Sequence, residues 1–169
     1  TYSNPTNVQY SQINFVDMPN AVQSEMILMN TVSLKMSDPD FFPVILANQV
    51  FGGDFNSYLN MNLREDHGWT YGASSYVDTN KYTDSKFVAS SQVRNAVTDS
   101  AIVEAIKELK RIRTEKVSDE MLSGVKAGYI GRFVMQVEKP ATVARYAVNS
   151  LTQGLPADFY ENYIKKINA

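Results

Sequence analysis

The chain contains no cysteine and a single histidine, His67. The first absence excludes disulfide staples and thiolate metal sites. The second leaves too few imidazoles for a metallohydrolase centre, which takes about three protein ligands. No His-x-x-His, His-x-x-Glu-His or His-Glu-x-x-His occurs, so no metal is expected in this chain. With His67 the only candidate base and no Gly-x-Ser-x-Gly elbow, a serine triad is not expected either. Charge of neither sign dominates. A formal net charge of -2 provides no attraction for nucleic acid or an anionic membrane. No apolar run approaches the ~18 residues that span a bilayer, and the first residues of the sequence show no secretory-leader pattern, which is uninformative in a piece of a longer chain. Internal repeats, low-complexity tracts and a convincing linker are also missing.

What is present is the composition of one globular domain, 169 residues with 44% hydrophobic residues. The polar opening Thr1-Tyr2-Ser3-Asn4-Pro5 and the ending Lys166-Ile167-Asn168-Ala169 suggest a piece of something longer. Alternation at Ile13 and Phe15 predicts a strand over 11–17, ended by Met18-Pro19-Asn20. A second strand is expected over 22–34. Its continuously apolar middle, Met26-Ile27-Leu28-Met29, reads as covered on both faces. Ser37-Asp38-Pro39 signals a helix start, followed by Phe42, Ile45, Leu46 and Val50 at helical spacing. Gly52-Gly53 is expected to stop that helix through positive φ. Phe55, Leu59 and Leu63 recur at four-residue intervals and predict a short amphipathic helix over 55–65, ended by Gly68.

Trp69, Tyr71, Ala73, Ser75 and Val77 alternate with polar neighbours and predict a strand. Residues 86–93 form the returning strand of an antiparallel hairpin. Four helices follow. The first is capped by Thr98 or Asp99 with a stripe of Ile102, Ile106, Leu109 and Arg113. The second is capped by Ser118, with Met121, Leu122, Val125, Tyr129 and Phe133. The third starts after Pro140 and ends at Gly154. The last opens at Pro156. The order β-β-α-α-β-β-α-α-α-α predicts an α+β two-layer sandwich, a mainly antiparallel sheet with helices packed on one face.

Few residues carry chemistry. His67 beside Gly68 at a helix end reads as structural, since the helix dipole favours a cation there. The pairs Asp38/Asp40 and Asp119/Glu120 sit at helix starts, where acids belong. Glu65-Asp66 sits at a helix end and asks for a partner such as Arg64. Phe51-Gly52-Gly53-Asp54-Phe55 lacks the Gly-Lys-Ser/Thr of a phosphate loop and places an acid where a phosphate would be repelled. Tyr71, Tyr76, Tyr82 and Phe87 could stack on bases, but without basic company they read as cross-strand packing. Arg64 and Tyr71 remain. Brought together by the Gly68 turn, they could offer guanidinium and phenol donors to a peptide carbonyl and its developing oxyanion. From chemistry alone, a surface salt bridge and a core tyrosine are the simpler account of them.

The run Phe51-Gly52-Gly53-Asp54-Phe55-Asn56-Ser57-Tyr58-Leu59, then Leu63-Arg64-Glu65, then His67-Gly68-Trp69-Thr70-Tyr71 resembles the "LGGGxxSRL…LREKxGLAYS" segment of pitrilysin/insulinase-type zinc peptidases. It looks like their homologous domain that does not bind zinc. Ala21-Val22-Gln23-Ser24, Asp38-Pro39-Asp40 and Val117-Ser118-Asp119-Glu120-Met121-Leu122 extend the likeness to roughly residues 15–168. Asp54, Tyr58 and Trp69 depart from the usual Gly, Arg and Leu.

The resemblance implies that this is the substrate-binding, non-zinc half of a zinc-dependent endopeptidase. Arg64 and Tyr71 would hold the peptide backbone near the zinc of a homologous partner domain, in cis or in trans. It also implies that the chain is one domain, 1–169, of a longer protease chain, without catalysis of its own. The partners expected are the zinc-binding domain and a peptide substrate, with no nucleic acid and no membrane span. A soluble periplasmic or cell-envelope setting is the expected compartment. The alternative within the same family is a scaffold or assembly subunit, which has no chemical need for the Arg64/Tyr71 pair.

Overall fold

The protein's structure, a computed structural model, describes residues 2–169. Three strands form one antiparallel sheet: β1 (Gln23–Val32), β2 (Thr70–Val77) and β3 (Ser85–Arg94), in the order β1-β3-β2. The sheet is antiparallel throughout because β2 and β3 form the expected hairpin and β1 pairs with β3, from Gln23 opposite Arg94 to Val32 opposite Ser85. Helices α1 (Phe41–Asn48), α2 (Tyr58–Asn60), α3 (Thr98–Thr114), α4 (Asp119–Val137), α5 (Pro140–Gln153) and α6 (Tyr163–Asn168) complete the α+β fold. Two π-helical runs, Gln49–Gly53 and Met61–Asp66, continue α1 and α2.

The core divides in two. Met26, Ala89 and Val93 on the inner sheet face pack against Phe51, Leu59, Leu63, Ala101 and Ala105. Leu59 and Leu63 are almost fully buried, which contributes about 1.5–3 kcal/mol for each side chain. They anchor the segment that carries Arg64. The second cluster joins Phe41, Phe42, Leu46 and Val50 to Val125, Phe159, Tyr163 and Ile167, and so ties the last helices back onto α1.

Several expectations are corrected. Residues 11–17 form no strand: Ile13 is 86% exposed and Phe15 81%. Alternation supplies a face, but a strand also needs a ladder partner. β1 is covered on one face only, because the helices occupy one side of the sheet. Ile27 and Met29 therefore point to solvent. The first helix begins at Phe41, and Asp38 instead accepts the Lys35 amide at 2.8 Å within the preceding turn. Val97 stands at the N-cap of α3 without a side-chain cap. The buried residues of α3 are Ala101, Ala105 and Glu108, whereas Ile106 and Arg113 face outward. Small residues let this helix approach the sheet closely. After Pro156 the chain runs in turns, and the regular helix is only α6. Ser118 does cap α4, accepting the Met121 amide at 3.2 Å.

Gly52 and Gly53 do not have positive φ; among the described residues only Gly68 and Gly154 do. Gly52 is required by proximity. A Cβ there would meet Ser75 Oγ at 2.6 Å and the Ser75 amide nitrogen at 2.9 Å. The π-helical run is thereby pressed directly onto β2.

Candidate functional site

The segment from Gly52 to Tyr71 lies across the β2 end of the sheet, held there by asparagines. Asn60 is buried. Its Nδ2 donates to the Phe55 carbonyl at 2.8 Å, and its Oδ1 accepts the Ala73 amide at 3.0 Å. Asn48 Nδ2 donates to the Ser75 carbonyl at 3.2 Å, while Ser75 Oγ donates to Asn48 Oδ1 at 2.7 Å. These side chains occupy backbone groups that an edge strand would otherwise present to another strand.

The second short helix ends as expected. Gly68, at φ 61, closes the turn, donating its amide to the Arg64 carbonyl at 3.0 Å; the Trp69 amide donates to the Leu63 carbonyl at 3.0 Å. His67 is structural in its contacts. Its Nδ1 lies 2.9 Å from the Asn62 carbonyl, and its ring packs on Trp69 at 4.1 Å.

Tyr71 is decided by a bulge. Ala73, Ser75 and Val77 pair with Ser91, Ala89 and Phe87, and strict alternation would place Tyr71 on that same inner face. The register shifts between Thr70 and Ala73, so Thr70 takes the position opposite Val93. The extra residue turns Tyr71 outward, where it is 93% exposed. Hydroxyls hold the bulge. Thr70 Oγ1 lies 2.7 Å from the Gln92 carbonyl and accepts the Gly72 amide at 3.1 Å. Buried Ser91 lies with its Oγ 3.0 Å from Thr70 Oγ1 and 3.0 Å from the Gly72 carbonyl. Tyr71 is therefore not a core tyrosine.

The outward turn places Tyr71 on the wall of an open groove of about 440 Å³ on the helix-free sheet face, with Gln23, Glu25, Ser74, Ser90 and Gln92. Arg64 lies elsewhere on the same segment. Its guanidinium sits over the Phe55 ring at 4.5 Å and pairs with Glu65 at 3.3 Å, giving the helix-end acid its partner. No hydrogen bond joins Arg64 to Tyr71 among the described residues. They share the Leu63–Tyr71 scaffold, not a contact.

The three departures from the resembling motif each have a local role. Asp54 accepts from Arg132 at 2.9 Å, and Arg132 also donates to Gln49 at 2.8 Å, which ties α4 to the Gly-Gly loop. Tyr58 lies beneath the Arg111 guanidinium at 4.0 Å. Trp69 is the platform for His67.

Sequence reasoning missed a second network behind the site. Asn62 Nδ2 donates to Glu108 Oε1 at 2.7 Å and to Glu104 Oε2 at 2.9 Å. Glu108 is buried, and Arg111 donates to its other oxygen at 3.3 Å. The Asn62 amide, with Lys107 beside it, holds the Glu104 carboxyl below the usual glutamate range. This network clamps the helix that carries Arg64 to α3. The spacing of Glu104, Lys107, Glu108 and Arg111 on one helix was the available signal.

Among the described residues, no group of three or more His, Cys, Asp or Glu side chains could hold a metal ion. With one His and no Cys, the residues do not fit a resident zinc. No helix among the described residues is long and apolar enough to cross a membrane.

Residues 3–129 match the family described as the Peptidase M16 inactive domain, and the chain belongs to that family. It is an inactive peptidase domain of a zinc protease family, as the Gly52–Tyr71 segment led one to expect. No curated protein matches. Among solved structures, a peptidase M16 inactive domain from Pseudomonas fluorescens is 20% identical with a TM-score of 0.80, over 87% of this chain and 35% of that one. The periplasmic protease PqqL from Escherichia coli is 14% identical with a TM-score of 0.70, over 88% of this chain and 16% of that one. The inactive peptidase domain of a protein assigned as a zinc protease, from Bordetella parapertussis, is 14% identical with a TM-score of 0.70, over 90% and 82%. These likenesses establish the fold. The chain spans 35% of the length of the first of these structures and 16% of the second.

Proposed function

We propose that this domain is the substrate-holding, non-zinc half of a zinc-dependent endopeptidase, with Arg64 and Tyr71 binding the peptide backbone near the metal of a homologous partner domain. The observation that carries this reading is the bulge between Thr70 and Ala73. It costs the ladder a regular pairing, and its effect is to turn one phenol out of the core. A tyrosine needed only for packing has no use for it.

Arg64 and Tyr71 have complementary roles. The phenol donates one hydrogen bond and the guanidinium up to five, so together they suit a carbonyl oxygen on which negative charge grows. Such donors stabilise the transition state more than the resting amide, so their loss lowers kcat more than it raises KM. Zinc chemistry belongs to the partner domain. The asparagine-capped edge of β2 directs an extended peptide to the open sheet face. The protein is in this reading one domain of a longer chain or one subunit of a pair, and the likeness to a periplasmic protease supports an envelope setting.

The test is made in the complete enzyme with its zinc-bearing partner. Arg64→Ala and Tyr71→Phe are each expected to lower kcat about 10²-fold or more, the range for loss of one oxyanion donor, with an unchanged melting temperature. Unchanged peptide turnover in both variants overturns the assignment and favours the scaffold reading.

A further inference from the structure

The groove beside Tyr71 has a chemical bias of its own. Gln23 and Glu25 come from β1, Ser90 and Gln92 from β3, and Ser74 from β2, so the groove crosses all three strands on the helix-free face. Its lining is hydroxyls, amides and one aromatic ring, and Glu25 alone carries a formal charge. Glu25 stands directly opposite Gln92 in the ladder. No ion pair to Glu25 is formed among the described residues, although both Glu104 and Glu108 have found cations.

The other charges of this sheet face are at its ends. Arg94 lies opposite Gln23, one outward pair beyond Glu25, and Lys86 lies opposite Thr31, at the far end, over the Tyr76 ring at 5.8 Å. Arg94 therefore lies one outward pair from Glu25 in the ladder, and it stands outside the groove lining.

We propose that Glu25 is a specificity-determining residue that selects a lysine or arginine side chain of the bound peptide, with the Tyr71 ring as the second wall. The carboxylate supplies the counter-charge. The aromatic face accepts the cation by its quadrupole, and the serine and glutamine side chains accept the remaining N–H donors. A groove of about 440 Å³ holds a long side chain together with the adjoining backbone. An acidic side chain would meet Glu25 and the π-face together and be rejected by both. An uncharged chain of equal length would leave the carboxylate unpaired. The inference rests on the proposed peptide-holding role of this domain, but it concerns which peptide is held, not how the bond is broken.

The experiment measures binding, so that it does not depend on Arg64 or on turnover. The complete protein, stripped of zinc with a chelator, is titrated with fluorescent alanine-rich peptides. Each carries a single lysine, norleucine or glutamate moved through successive positions. At one position lysine is expected to bind about tenfold more tightly than norleucine, the sum of an exposed ion pair and a cation–π contact. Glu25→Gln is expected to reduce that preference to less than about twofold, and Glu25→Lys to turn it towards glutamate. A lysine preference that survives unchanged in Glu25→Gln overturns the proposal, as does its absence in the native protein. Turnover of the norleucine peptide by Tyr71→Phe, measured in parallel in the zinc-loaded enzyme, tests the backbone-holding role separately. Either result can fail while the other stands.

Discussion

Tyr71 owes its exposure to one inserted residue, and that residue is held by hydroxyls, not by packing. Thr70 and Ser91 take up the groups that the interrupted ladder leaves open. Thr70→Val keeps the shape and removes the hydroxyl, leaving the Gly72 amide without its acceptor. A stability loss of about 1–3 kcal/mol is expected, with a fall in peptide turnover close to that of Tyr71→Phe. Thr70→Ser should restore both, because only the hydroxyl is needed. Denaturant melts and turnover in the complete enzyme check this; normal turnover in Thr70→Val would show that the bulge does not position Tyr71. The turn at Gly68 was legible from the sequence. The bulge was not. Alternation over 69–78 is continuous in the sequence, and the register shift follows from pairing with Ser91 and Val93 of the returning strand.

At the scale of elements, the clamp between the Arg64 helix and α3 is electrostatic. Asn62 donates to both Glu104 and Glu108, and the lowered Glu104 carboxyl titrates differently folded and unfolded. A carboxyl depressed in the folded state contributes stability that is full above its unfolded pKa and lost as pH falls through its folded one. The protein is therefore expected to lose stability on acidification, and Glu104→Gln to be weaker at neutral pH with a flatter acid limb. Urea unfolding followed from neutral to acid pH measures it, and parallel curves for the two proteins would remove Glu104 from the clamp. The helices of this clamp were legible from periodicity, as the start of α4 was from Ser118. The buried stripe of α3 was not. Ala101 and Ala105 outrank Ile106 because burial follows distance from the sheet, which hydrophobicity alone does not encode. The strand expected over 11–17 failed for a related reason, since a pairing partner lies outside any local pattern.

For the whole molecule, the division of labour is the testable point. The isolated chain is expected to bind no stoichiometric zinc after dialysis and to cleave no peptide, and both properties should appear when the zinc-bearing partner is present. Metal analysis and an oligopeptide assay decide it. Zinc retained at one equivalent per chain, or cleavage by this chain alone, would refute the division. The two core clusters, one under the sheet and one among the helices, support folding of the unit by itself.

The sequence by itself determined the class of protein. It carries one histidine, no cysteine, the Gly52–Tyr71 segment, and the alternating and four-residue periodicities of an α+β sandwich. These are local properties, set by residue identity and by spacing within one turn or one strand. Only the tertiary structure decided where Tyr71 points, why Gly52 must be glycine, and which sheet face stays open beside Glu25. Each of these depends on what a distant segment brings within a few ångströms: Ser75 against Gly52, Asn60 on Ala73, Val93 opposite Thr70.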